Sequence, residues 1–338
     1  MKDIVFVSGH KNPDSDPICS AIAYAHLLFV TGRYNAVPVR LGDVNKETEF
    51  ILKRFGVEIP VLLKTVKQKV EDLDYDKVTV FSKELTLKTA WALMKQQNLK
   101  SAPVLDDHSQ LLGLLSTSNI IEGYMDDWNS EILKEANTPI ENVIDTLDAS
   151  ILYLDKSLKT IKGEVHIAAM TGEEAMKRIH ENDVVIVGGD RDEAVEHLIE
   201  GKVSLIILTG LLSIDDALLN KCMEAHISVI STPFNTFMSS QQIIQSIPVE
   251  YVMQKGGLTT FSTDDTLDYV KEVMSETRYR SYPVLDFMGR VVGSVSRFQV
   301  LNGMRKKVIQ VDHNERGQSI DGIEDAEILE IIDRKSVV

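Results

Sequence analysis

Cysteine is nearly absent: the 338 residues hold only Cys19 and Cys222. Two thiols so far apart make neither a disulfide framework nor a Cys-based zinc site, and they read as buried thiols of a reducing cytosol. No run of about 18 apolar residues could cross a bilayer. The apolar start of MKDIVFVSGH is interrupted too early for a signal peptide. Basic charge is scarce as well, with 36 Lys+Arg against 51 Asp+Glu and a net charge of −15. Without a local basic patch, that balance disfavours nucleic acid and anionic membrane surfaces. The expectation is a soluble, cytoplasmic protein of small-molecule chemistry, with no nucleic-acid and no membrane partner. A composition of 43% hydrophobic and 26% charged residues excludes disorder and coiled coil, and the length allows two or three domains.

An internal repeat organises the chain. Residues 79–121 align without a gap against residues 259–301, at a constant offset of 180. Phe81 matches Phe261, Thr86-Leu87 matches Thr266-Leu267, Pro103–Asp106 matches Pro283–Asp286, and Gly113 matches Gly293. In each copy Thr86 or Thr266 is placed to cap a helix whose apolar residues (Leu87, Ala90, Leu93, Met94 in the first) recur at helical spacing. APVLD or YPVLD then reads as a strand, LLGLLS or VVGSVS as the next, and Ser116 or Ser296 begins a second helix. This β-α-β-β-α unit resembles the cystathionine-β-synthase (CBS) domain, which pairs within a chain, commonly dimerises, and commonly binds adenine nucleotides between its copies.

Between the copies, short apolar runs (Val165–Met170, Val184–Val187, Leu205–Leu208, Ile227–Ile230) alternate with helical patterns such as Asp192–Glu200, closed by Gly201. Such alternation predicts an α/β domain with a mostly parallel sheet. Its position between two CBS units resembles that of the DRTGG domain, although Thr209-Gly210-Leu211 lacks the second glycine of that name.

The chemistry falls in the outer segments. A strand over Ile4–Val7 leads into Ser8-Gly9-His10-Lys11-Asn12-Pro13-Asp14-Ser15-Asp16-Pro17, followed by a helix over Ile18–Val30. Ends of parallel strands are where α/β sheets place ligands. Two carboxylates two residues apart, with an imidazole nearby, form a mixed oxygen and nitrogen set suited to Mn²⁺, Co²⁺ or Mg²⁺. Asn12-Pro13 and Gly9 are expected to hold the tight turn. The same loop also reads as a solvated turn whose Asp14 or Asp16 caps the helix. Near the other end, a strand over Lys307–Val311 finishes in Asp312, a second acid at a strand's carboxyl end. Ile323–Ile332 reads as a helix or helix-strand turn ending at Asp333.

GHKNPDSDPICSAIAYA, VRLGDVNKETEFILKRFGV and VDHNERGQSIDGIEDAEILEIID together resemble the N-terminal domain of the manganese-dependent, family II inorganic pyrophosphatases of the DHH phosphoesterase superfamily. Some of these carry a CBS–DRTGG–CBS insertion in this order. The implied fold class is α/β: a partial DHH parallel-sheet domain with an inserted CBS pair and an α/β DRTGG-like domain. The implied domains are 1–65 and 306–338 for the DHH part, 66–125 for the first CBS unit, 126–245 for the DRTGG-like domain and 246–305 for the second CBS unit.

The resemblance implies metal ligands His10, Asp14, Asp16 and Asp312, with Asp312 bridging two Mn²⁺ or Co²⁺ ions, and pyrophosphate as substrate. For the CBS pair it implies AMP, ADP or a related nucleotide near Ser116 and Asn119 in the first unit. The corresponding residues in the second are Tyr279, Arg280, Ser296, Arg297 and Gln299. A homodimer is implied as well. The chain departs from the superfamily's Asp-His-His, reading Asp333-Arg334-Lys335. Together with the ligands and substrate-binding domain expected beyond Val338, this predicts a truncated member with slow or absent turnover. The alternatives are a catalytically inactive nucleotide-binding, dimerising CBS–DRTGG module, or a DHH phosphoesterase acting on another phosphate ester or a nucleic-acid end, which fits the His10 loop but not the insertion pattern.

Overall fold

The computed structural model describes residues 4–125, 129–168, 178–188, 192–313 and 315–333. They divide into two compact units. One comprises residues 1–76, 260–287 and 293–338; the other comprises residues 77–259 and 288–292. Among the described residues no helix is long and apolar enough to cross a membrane.

The first unit contains a parallel sheet whose centre is β1 (Ile4–Ser8). On one side of β1 lie β2 (Asn35–Arg40) and then β3 (Val61–Leu62); on the other lie the strands Lys307–Val311 and Glu327–Ile332. Successive residues of a strand face opposite sides of a sheet. Val5, Val7, Ile309 and Val311 therefore pack against Ala21, Ala25 and Leu28 of helix α1 (Ser15–Val30), while Val308 packs with Val66, Ile320 and Ile323 on the reverse face. Helix α1 begins earlier than its apolar pattern implied. The Asp14 carboxylate accepts the Asp16 N–H at 3.0 Å as an N-cap, so Ser15-Asp16-Pro17 forms the first turn. Helix α2 (Lys46–Phe55) is capped by Asn45 and closed by Gly56 at φ +65°.

Of the two forms expected for residues 323–332, helix or helix-strand turn, the structure takes the second. A short 3₁₀ turn spans Ile323–Asp325, and Glu327–Ile332 pairs in parallel with Lys307–Val311. The run EILEII fits either period, and the backbone partners offered by the neighbouring strand decide for the ladder.

In both repeat copies, Thr86 and Thr266 cap helices Leu87–Gln96 and Leu267–Glu276 through their side chains. Each copy holds a three-stranded sheet, built from Phe81–Ser82, Ser101–Leu105 and Leu111–Ser116, or from Phe261–Ser262, Tyr282–Leu285 and Val291–Val295. Their lead-in segments are exchanged relative to chain order. Val70 and Leu73 complete the core of the second copy, whereas Val249 and Met253 pack into the core that holds the first. Cα pairings of Lys69 with Thr266 and of Thr86 with Pro248 seal the two exchanges.

The second unit also holds a five-stranded sheet in the order Ser150–Tyr153, Ser228–Thr232, Leu205–Thr209, Val184–Val187, Val165–Ile167. Only Ser150–Tyr153 runs antiparallel. The three central strands are buried throughout, as expected where both faces of a parallel sheet are covered. The expected strand 165–170 ends at Ile167, and residues 169–170 lie outside the described residues. Cys222 is buried, whereas Cys19 is only half-buried.

Candidate metal centre

β1 continues through helix α1 to β2 on one side, while Lys307–Val311 continues to Glu327–Ile332 on the other. The loops leaving β1 and Lys307–Val311 thus diverge, opening the crevice at which open α/β sheets receive ligands. Ser8 is level with Gln310, and two residues beyond each stand His10 and Asp312. His10, Asp14 and Asp312 each offer a donor atom within 4.8 Å of the others. The His10 Nε2 to Asp312 Oδ2 separation is 3.8 Å. Donors bound at about 2.1 Å to one ion stand roughly 3–4 Å apart, so this set of one imidazole and two carboxylates fits a divalent cation of intermediate hardness.

Each donor is held by its element. Asp14 caps α1 while facing the cluster, so the cap and the ligand readings of the loop apply to the same residue. Asp312 adopts φ +60°, left-handed for a non-glycine residue, and its N–H donates to the Ile332 carbonyl at 2.8 Å. Such backbone costs about 1–3 kcal/mol and persists where its surroundings impose it. Gly9 supplies close approach rather than a special turn. A Cβ there would lie 2.2 Å from Pro17 Cβ, so glycine lets the end of β1 abut the first turn of α1.

Asp16 lies outside the three-residue cluster and accepts a hydrogen bond from the Ser20 hydroxyl at 3.1 Å. It lines, with Ser20, Tyr24, Asp312 and Ile332, a cavity of about 370 Å³. Asp312 therefore borders both the cluster and this cavity, and of the four expected ligands three form the cluster while Asp16 stands outside it.

Sequence reasoning missed the support behind Asp312. His313 is buried, with Nδ1 3.1 Å from the Val311 carbonyl and Nε2 3.2 Å from the Ser319 hydroxyl. A carbonyl only accepts, so Nδ1 carries the proton, and Nε2 shares the Ser319 hydroxyl proton with the Glu315 carbonyl. Gln310 donates to Ser319 at 2.6 Å. Burial pushes the His313 imidazole below its usual range and favours the neutral ring. The register pairs Val311 with Ile332, so Asp333 leaves its strand beside Asp312. Arg334 and Lys335 lie outside the described residues.

The residues expected near a nucleotide are engaged locally. Ser116 and Asn119 form a reciprocal cap, with the Ser116 N–H and hydroxyl donating to Asn119 Oδ1 at 3.0 and 2.6 Å and the Asn119 N–H donating to Ser116 Oγ at 3.2 Å. Ser296 and Gln299 repeat it, and the Gln299 amide donates to Asp76 at 2.8 Å. The Arg297 guanidinium donates to the carbonyls of Met274, Thr277 and Tyr279, closing the end of helix Leu267–Glu276. Tyr279 packs edge-on to Tyr282 at 5.9 Å, and Arg280 is exposed. Ser116 and Asn119 belong to one unit and the other five residues to the other.

Comparison with known proteins bears on this arrangement. The CBS domain model matches residues 70–126 and 249–313, and the DRTGG domain model matches residues 142–246. The crystallised CBS and DRTGG domains of the regulatory region of Clostridium perfringens pyrophosphatase, complexed with the activator diadenosine tetraphosphate, are 46% identical, with a TM-score of 0.66. That match covers 68% of this chain and 100% of the crystallised one. The chain carries the CBS and DRTGG domains of such a regulatory region. The cobalt-dependent inorganic pyrophosphatase of Clostridium perfringens is 50% identical over 337 residues, covering 100% of this chain and 61% of the relative. The probable manganese-dependent inorganic pyrophosphatase of Thermotoga maritima is 35% identical, covering 97% and 60%. The chain thus spans about three-fifths of the length of these relatives.

Proposed function

We propose that this chain is the metal-binding and regulatory part of a cytoplasmic inorganic pyrophosphatase, which converts diphosphate and water to two phosphates under adenine-nucleotide control. The observation that carries the reading is the convergence of His10, Asp14 and Asp312 at the carboxyl edge of the parallel sheet. Mn²⁺ is the proposed ion, with Co²⁺ or Mg²⁺ as substitutes, and the names of the relatives support the first two. When bound, divalent ions clamp phosphate charge and lower the pKa of a coordinated water. The residues contribute position: Asp14 and His10 from the β1 loop and Asp312 from the neighbouring strand, with Asp16 lining the cavity that Asp312 also lines.

The regulatory ligands proposed are AMP, ADP or a dinucleotide such as the activator held by the Clostridium perfringens region, and the proposed assembly is a homodimer. Arg334 and Lys335, in place of two histidines, favour a second reading: a binding module without turnover. One experiment separates them. The purified chain is assayed for Mn²⁺-dependent phosphate release from pyrophosphate, with His10→Ala as control. Release lost in that variant supports the enzyme; release at background, with AMP binding intact by calorimetry, supports the module. For the nucleotide site Arg280→Ala is the cleaner probe, because Arg297 already caps a helix.

A further inference from the structure

The metal loop is pinned at its outer end. The Lys11 N–H donates to the Gln318 carbonyl at 2.9 Å, and Lys11 Nζ meets Asp321 Oδ1 at 2.6 Å. Lys11 follows His10 directly, while Gln318 and Asp321 follow Asp312 on the neighbouring strand's loop. Two contacts therefore join the two ligand-bearing loops outside the cluster. Asp321 is itself fixed from behind: its carbonyl accepts the Val66 N–H at 2.9 Å and the Thr65 hydroxyl at 3.0 Å. The next residue, Gly322, has φ +80°, and a Cβ there would lie 2.9 Å from the Lys67 backbone nitrogen. Residues 65–67 are the stretch by which the chain leaves the parallel sheet after β3.

We infer that the Lys11–Asp321 pair is a positioning clamp, which sets the separation of His10 from Asp312 and ties it to the stretch 65–67. The inference rests on the proposed metal reading of the cluster. An exposed ion pair alone contributes little, but here one end is anchored by a backbone hydrogen bond and the other by two. Releasing the pair frees the loop that carries His10. Charge and clamp make opposite predictions for Lys11. Removing a cation beside an ion site should tighten metal binding if charge governs, and weaken it if the clamp governs.

The test titrates the 338-residue chain with Co²⁺, reading affinity by calorimetry and ligand geometry from the visible absorption spectrum. Lys11→Ala is expected to weaken binding about threefold to tenfold, the scale of a modest positioning interaction, and to alter the spectrum. Lys11→Arg and the exchange Lys11→Asp with Asp321→Lys are expected to restore both. Cobalt bound by the unaltered chain, with Lys11→Ala binding equally or more tightly and an unchanged spectrum, overturns the clamp alone. No cobalt bound by the unaltered chain overturns the metal reading and the clamp together. Both side chains lie at the surface, and unchanged circular dichroism of the variants excludes misfolding.

Discussion

Gly9→Ala is the sharpest perturbation of the candidate centre, because it changes no ligand. An added Cβ would stand 2.2 Å from Pro17 Cβ, 3.0 Å from Pro17 Cα and 3.2 Å from the Pro17 carbonyl oxygen. Proline has no rotamer to swing aside, and Pro17 is buried in the first turn of α1. Ordinary contact begins at 3.4 Å, so the end of β1 and the start of α1 must separate by about 1.2 Å. His10 follows directly on one side of that seam and Asp14 caps the helix on the other. Metal coordination tolerates about 0.2 Å, so a shift of this size should detach one ligand and weaken Mn²⁺ or Co²⁺ binding about 10- to 100-fold. Overpacking should also cost about 1–3 kcal/mol of stability, or about 2–12 °C in Tm for a unit of this size. Calorimetry with each ion and thermal unfolding with excess chelator read the two effects. Gly256→Ala, where nothing lies within 4 Å of the added Cβ, serves as control. Wild-type affinity and Tm in Gly9→Ala would show that β1 and α1 do not set the ligand geometry.

Two further outcomes follow from named groups. Asp14 both caps α1 and faces the cluster; Asp14→Asn keeps a good cap and should lose metal binding with little change in metal-free Tm, whereas Asp14→Ala should lose binding and about 1 kcal/mol of stability, as urea unfolding of the chelated protein can read. In the second unit, hydrogen bonds from Ser157 and His226 hold the Asp155 carboxyl well below the usual carboxylate range. A depressed folded-state pKa contributes stability above the unfolded value of about 4 and loses it as pH falls below that value. The urea midpoint of the second unit should therefore drop between about pH 4 and pH 2, and Asp155→Asn should flatten that drop.

The repeat was legible because helix caps and strand alternation recur at the same places in both copies, and Thr86 and Thr266 do cap their helices. The exchange of lead-in segments was not legible. Val70 and Val249 are ordinary apolar residues whose periodicity says only that they are buried, not in which copy. Ile323–Ile332 stayed open between helix and helix-strand turn for a related reason, since its isoleucines suit both periods and the choice lay with the backbone partners of Lys307–Val311. Ser116 was legible as the start of a helix as well as a nucleotide contact, and its bonds with Asn119 make it the cap; Arg297 read as ligand-facing from its motif position, and its bonds to the end of helix Leu267–Glu276 became visible only with coordinates.

The sequence by itself determined which residue types could bind a metal and that each follows a strand: His10 and Asp14 after Ile4–Val7, Asp312 after Lys307–Val311. Local pattern carries that much, because side-chain chemistry and strand ends are properties of a few neighbouring residues. Tertiary structure alone decided that these strands are neighbours in one parallel sheet, in a register that sets His10 level with Asp312, and that a buried His313–Ser319–Gln310 network stands behind the shared acid. Pairing between strands some 300 residues apart is specified by complementary burial across the sheet, and no local periodicity records it.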